Sequence, residues 1–300
     1  MECVNLLFLI LLSSSLSHTV RAAEKTLDMA PDAVDDVFSG CRERMLKAVT
    51  EADGLLQKEL QTTEKFAEMW KNTKTCNKQI QGLTSFHLNA LESYANCKTD
   101  IRKTFNDKVY ASGNNATTYK NEFSFKSLHF LLTDAMKHLN GGKTHMQVFY
   151  GTGNEYKATT GKEVRFGKFI LSESKRSAQE EKVSSDGGGT LFIITSGSVV
   201  NVENYTCSSE EMELLISPTE VFTVENIQTA SKDDTDFKII TLNHSRFLSN
   251  HDCYLFDGIS EATTPSSRDR TQAPGGSSSS LLSSMVLAWM ASILSSYYCT

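Results

Sequence analysis

The hydrophobic period of this 300-residue chain changes at Gly141-Gly142, and that change limits the folds open to it. Before the glycines the apolar residues repeat every three and four positions. Leu60, Phe66, Met69 and Trp70 place residues 58–71 on a helix with one apolar face. Phe125, Leu128, Leu132, Ala135 and Leu139 predict an amphipathic helix over 122–140, stopped by the glycine pair. After the glycines come short β-rich runs at 145–149, 164–171, 190–195, 199–202, 221–224 and 237–242, divided by glycines and polar turns. Gly187-Gly188-Gly189 precedes a strand rather than a helix, so it reads as a turn and not as a phosphate-binding loop. A helical front and a stranded back predict an α+β fold, with helices segregated from a largely antiparallel set of strands. No internal repeat is present, and low complexity is confined to 263–280.

The two ends predict where the chain works. The apolar core LLFLILL (6–12), followed by Val20 and Ala22 at the spacing of a cleavage site, reads as a secretory signal over residues 1–22. Pro274-Gly275-Gly276 and a serine run lead into a terminal apolar tail with no basic stop. This is the pattern of a lipid-anchor signal, with 263–280 as linker and attachment region and 281–300 removed. The serine-interrupted tail barely spans a bilayer. A mature domain over 23–262 is long enough for one sizeable core.

Thirty basic residues against 36 acidic ones give a net charge of −6, which argues against a nucleic-acid partner. Of seven cysteines, Cys41, Cys76, Cys97, Cys207 and Cys253 stay in the mature region, in a compartment where thiols oxidise. An odd number leaves one free or paired outside the chain. Asn115, Asn204 and Asn243 each open a glycosylation triplet. No His, Cys or carboxylate cluster has metal-ligand spacing, and His129 and His138 read as packing or surface residues of the second helix.

Glu210-Glu211-Met212-Glu213 runs into the apolar Leu214-Leu215-Ile216. On an extended segment Glu211 and Glu213 project to the same side. Two readings are open: a solvated acidic turn, or a carboxylate pair at the mouth of a cleft. Such a pair suits chemistry at a sugar carbon, one acid steadying an oxocarbenium-like centre while the other positions the nucleophile.

ALESYAN (90–96), FNDKV (105–109), FKSLHFLLTDAM (125–136), VFYGT (148–152), VRFGKF (164–169), GGTLFIIT (188–195) and EEMELLISPTEVFTV (210–224) fall in an order that resembles the vertebrate ecto-ADP-ribosyltransferases, specifically the arginine-directed, lipid-anchored members. The resemblance covers nearly all of the mature length. It implies a mainly antiparallel two-sheet core with an NAD cleft, and transfer of ADP-ribose from NAD to arginine side chains of extracellular proteins with release of nicotinamide. NAD would be a co-substrate, no metal would be needed, and a lipid anchor would hold the protein to the outer membrane face. Glu213 would stabilise the positive charge on the ribose, and Glu211 would orient the acceptor guanidinium, whose planar fork matches a carboxylate. Cys41 and Cys253 would be joined, as the termini are in relatives.

The resemblance has two departures. Relatives carry an arginine, which contacts NAD phosphate, where this chain has Tyr150; a phenol offers no fixed positive fork. NAD affinity is then reduced unless a neighbouring cation substitutes. Gly151 is retained, and the resemblance gives it the role of admitting the nicotinamide amide close to the backbone. Relatives also place a serine where this chain has Leu171; Ser172 is the stand-in, and a bulge would be needed to bring it to the right face. These departures keep two alternatives alive: a catalytically impaired surface binding protein of the same fold, and an NAD glycohydrolase in which water replaces arginine.

Overall fold

The computed structural model describes residues 24–71, 79–140, 145–205 and 213–256, and for Glu213 the backbone alone. The expectations for the signal, linker and tail, and for Cys76, Cys207 and Glu211, lie outside the described residues. In chain order the elements are β1 (Lys25–Thr26), α1 (Arg42–Thr50), α2 (Leu55–Thr62), α3 (Glu64–Lys71), α4 (Ser85–Asn96), α5 (Thr99–Ala111), α6 (Ala116–Glu122) and α7 (Lys126–Asn140). They continue with β2 (Met146–Thr152), β3 (Tyr156–Lys157), β4 (Glu163–Arg165), β5 (Ile170–Glu173), α8 (Arg176–Ser185), β6 (Thr190–Ser196), β7 (Val200–Asn201), β8 (Glu213–Ile216), β9 (Glu220–Lys232) and β10 (Thr235–Phe247). The α+β division at residue 140 holds, and α8 is the helix that the stranded half was not expected to contain.

The predicted helix over 58–71 is two helices. Thr63 is extended (φ −123°, ψ 93°), and the Thr62 hydroxyl turns back to the carbonyl of Lys58; such side chains compete with the helical backbone. The predicted helix over 122–140 starts later, at Lys126. Its first amides, of Lys126 and Ser127, donate to the buried carboxylate of Glu59 on α2 at 2.9 Å each, an anion placed at the positive end of a helix. The predicted strand over 164–171 is likewise split. Gly167 bends the chain at φ +60°, and a Cβ there would lie 2.5 Å from the Cβ of Ala30.

Eight strands form one sheet in the order β4-β9-β10-β6-β2-β5-β8-β7, and β1 pairs with β3 in a second, two-stranded sheet. All ladders of the large sheet are antiparallel except β10 with β6. The β5-β8-β7 portion meets the rest at a single registered pair, Phe149 opposite Glu173. The central strands are covered on both faces, which is why their sequences read as continuous apolar runs rather than clean alternations. Val148, Phe192, Ile194, Ile240 and Leu242 pack on one side, whereas Phe149, Leu191 and Ile239 pack with Val183 of α8 on the other. The helices enclose a third cluster around Phe105, Phe125, Phe130 and Leu132, reached from the strands by Phe169 and Leu215.

The ends of the domain are joined as the resemblance implied: Cys41 and Cys253 form a disulfide across 212 residues of sequence. The join is reinforced by carboxylates. Asp36 accepts backbone hydrogens from Phe38, Cys253 and Tyr254. Asp35 accepts from Arg165 (2.8 Å) and from Asn250, with both ionic side chains fully buried. Cys97 is buried, its Sγ 3.4 Å from the carbonyl of Tyr94. His129 is buried, as expected of a packing residue, and His138 is at the surface against the carbonyl of Gln81.

Candidate active site

A cleft of about 670 Å³ opens between the helical half and the sheet. One wall comes from α4 and α5. Asn106 of α5 holds the backbone of Phe169 through both of its amide atoms: Nδ2 donates to the carbonyl at 2.9 Å, and Oδ1 accepts from the amide at 3.0 Å. Tyr94 of α4 donates its hydroxyl to the same carbonyl at 2.7 Å. The ALESYAN, FNDKV and VRFGKF patches thus meet in three dimensions, and the segment entering β5 is fixed by side chains some sixty and seventy residues away.

Tyr150 lines the opposite wall. Its ring stacks on Phe192 (5.9 Å, 13° between planes) and meets Phe166 edge-on. Burial raises its pKa above that of a free phenol, so it enters the cleft as a neutral hydrogen-bonding group. Gly151, one residue on, faces the other way. A Cβ there would lie 2.8 Å from both the carbonyl of Gln179 and Cγ2 of Val183, so this glycine is the point where α8 crosses β2. Its amide donates to Oε1 of Gln179 at 2.7 Å. The close approach that Gly151 permits is therefore made by α8, and its N–H is already engaged by a protein side chain.

Gln179 continues the link: its Nε2 donates to Glu173 Oε1 at 2.6 Å. Glu173 is registered directly opposite position 213 in the β5–β8 ladder, so the second glutamate of the acidic motif starts a strand beside another carboxylate-bearing residue. Sequence reasoning missed Glu173 and Gln179, although Glu173 directly follows Ser172, the candidate that the resemblance picked out.

Ser172 is not brought to the cleft. The β5–β8 register runs without a bulge, so residue 172 faces away from positions 171 and 173, and Leu171 lines the cleft instead. Ser172 is 2% exposed, and its Oγ donates to the carbonyl of Leu214 at 2.7 Å, which commits the hydroxyl to holding two strands together.

Charge in the cleft is predominantly basic. Burial works against the Asp107 carboxylate, yet hydrogen bonds from Lys103 (2.6 Å) and Lys168 (3.2 Å) outweigh it and hold its pKa below the usual range. Burial, and then the charge of Lys168, lower the pKa of Lys25 at the rim. Among the described residues no cluster of His, Cys, Asp or Glu could hold a metal ion.

A family model described as NAD:arginine ADP-ribosyltransferase matches residues 27–246, a span that includes both walls of the cleft. Ecto-ADP-ribosyltransferase 5 of Bos taurus is 32% identical over 240 residues, covering 75% of this chain and 72% of that protein. T-cell ecto-ADP-ribosyltransferase 1 of Mus musculus is 31% identical over 248 residues, 80% of this chain and 81% of the relative. Among solved structures, the eucaryotic mono-ADP-ribosyltransferase ART2.2 superposes with a TM-score of 0.62 at 28% identity, covering 76% of this chain and 98% of that one. A mutant of ART2.2 in complex with NAD superposes with a TM-score of 0.61 at 27% identity, with the same coverage of each chain.

Proposed function

The chain belongs to the NAD:arginine ADP-ribosyltransferase family, and from that premise we propose that it transfers a single ADP-ribose from NAD to arginine side chains of extracellular proteins, releasing nicotinamide. The observation that carries this reading is the family match, continuous across residues 27–246.

The chemistry demands that the nicotinamide ribose be held while its glycosidic bond breaks with little help from the nucleophile, so positive charge grows on the sugar. Glu213 supplies the opposing charge and Glu211 holds the acceptor guanidinium, two carboxylates given different tasks by position. Glu173, opposite position 213 and tethered by Gln179, adds a second carboxyl group beside that position. Tyr150 contributes a neutral hydroxyl to the NAD cleft. Ser172 and Gly151 act in support of the site, one tying β5 to β8 and the other admitting α8. The protein acts on the outer face of the plasma membrane, held by a lipid anchor that replaces residues 281–300. NAD and arginine-bearing surface proteins are its partners.

The test of acceptor choice is label transfer from NAD to a peptide carrying one arginine and to the same peptide with lysine there. Arginine alone takes the label. Equal labelling of both peptides, or loss of NAD without labelling of either, overturns the arginine assignment; the second result identifies an NAD glycohydrolase. Tyr150 and Leu171, the two departures at the cleft, favour one other reading, a surface binding protein that no longer turns over NAD. That reading predicts neither label transfer nor NAD loss.

A further inference from the structure

If the cleft accepts NAD, the dinucleotide's diphosphate needs a cation, and the strand position that bears one in relatives is Tyr150. The cations lining the cleft differ in whether their charge is already met. Arg165 is committed: it pairs with Asp35 and donates to the carbonyls of Met29 and Ala30. Lys103 and Lys168 share Asp107. Among the described residues Arg102, Lys25 and Lys182 have no carboxylate within ion-pair distance, and of these Arg102 alone carries a guanidinium.

Arg102 lies on α5, and its guanidinium is oriented in advance. Nη2 donates to the carbonyls of Ala95 and Cys97 at the end of α4 (2.7 and 3.3 Å), and Cζ sits 5.6 Å from the centre of the Tyr94 ring. Its Nε is buried with no hydrogen-bond partner among the described residues. A buried donor without an acceptor is costly, and with Nη2 held by two carbonyls the remaining donors of the guanidinium are left for an anion that enters the cleft. The charge is also felt across the cleft: burial raises the phenol pKa values of Tyr94 and Tyr150, and Arg102 opposes the rise at both. Arg102 and Tyr150, the residue that replaces the strand arginine, line the same cleft. Lys25, crowded by Lys168 at the same cleft, gains from any anion that enters.

We propose that Arg102 supplies, from helix α5, the guanidinium that binds the dinucleotide diphosphate, taking over the task of the arginine that Tyr150 replaces. The proposal rests on the reading of the protein as an NAD-using enzyme and assigns the phosphate contact to a different element of the fold. Arg102 also closes the end of α4, so a test has to separate binding from folding.

Calorimetric titration of the mature protein with ADP-ribose, and separately with nicotinamide, makes that separation. Arg102→Gln weakens ADP-ribose binding by about tenfold to a hundredfold, the usual loss for a hydrogen bond to a charged group, and leaves nicotinamide binding unchanged. Arg102→Lys falls between the two. Adding Tyr150→Arg to Arg102→Gln restores ADP-ribose affinity. Unchanged ADP-ribose affinity in Arg102→Gln overturns the assignment, as does equal weakening of both ligands with a lowered melting temperature, which would leave Arg102 a helix cap only. A wild-type protein that binds neither ADP-ribose nor NAD removes the NAD reading itself, and this proposal with it.

Discussion

Gln179 shows how much of this site rests on residues that no motif announces. It is 5% exposed and bridges the Gly151 amide and the Glu173 carboxylate, so that β2, β5 and α8 are locked together beside position 213. Gln179→Leu keeps the size and removes both hydrogen bonds, leaving the buried N–H of Gly151 unmatched and Glu173 without this tether. We expect a loss of about 1–3 kcal/mol in urea denaturation, together with a lower rate of NAD turnover because Glu173 is no longer held. The residues that stand out in the sequence are those whose chemistry is visible in isolation: the glutamate pair, proposed here as catalytic, and the tyrosine where the resemblance implies a cation. Ser172 matched by spelling but not by register, since a one-residue slip on an unbulged strand turns the hydroxyl to the opposite face. Arg102 carried no readable signal, and Asn106, though inside the FNDKV patch, gave no sign of its role, because their partners lie on α4 and at the entry to β5.

At the scale of elements, α7 illustrates what periodicity can and cannot supply. Its apolar spacing predicts the body of the helix, but its start is set by Glu59, 67 residues earlier, through hydrogen bonds to Lys126 and Ser127. Glu59→Ala leaves those two amides without acceptors and removes the anion from the positive end of α7. The expected cost is about 1–3 kcal/mol by denaturant titration, with faster amide exchange in the first turn of the helix. Strands β9 and β10 were legible only in their inner parts, 221–224 and 237–242, where burial makes the residues apolar. Beyond them the hairpin continues through exposed residues to a turn at Asp233 and Asp234, both with positive φ (51° and 58°). Helix α8 buries just Gln179 and Val183, too few to produce a period.

For the whole molecule, the disulfide and the Asp35 and Asp36 contacts close the domain where its two ends meet, a pairing that the family resemblance implied and burial explains. His129 lies inside the same core, its Nε2 3.1 Å from the carbonyl of Val34 and its Nδ1 without a hydrogen-bond partner among the described residues. Burial pushes its pKa down from 6.5 to about 4. Between those values the unfolded chain binds a proton that the folded one refuses, so stability falls as pH falls through that window. The loss is at most on the order of 3 kcal/mol. Melting temperatures from pH 7.5 to 4.5 should show this slope, flattened in His129→Phe; an equal slope in both proteins would assign it to other groups. The division into helical and stranded halves was legible because one side of the chain buries helical stripes and the other buries sheet faces. The cleft was not, because it exists only where the two meet.

The central claim is that an acidic residue at position 213 steadies the ribose of NAD as nicotinamide leaves. Nicotinamide release by the mature protein, with an arginine analogue present, tests it directly when wild type is compared with Glu213→Gln. We predict that release falls by about 10²–10³-fold while the melting temperature is unchanged. Equal release by the two proteins, or none from wild type, would contradict it.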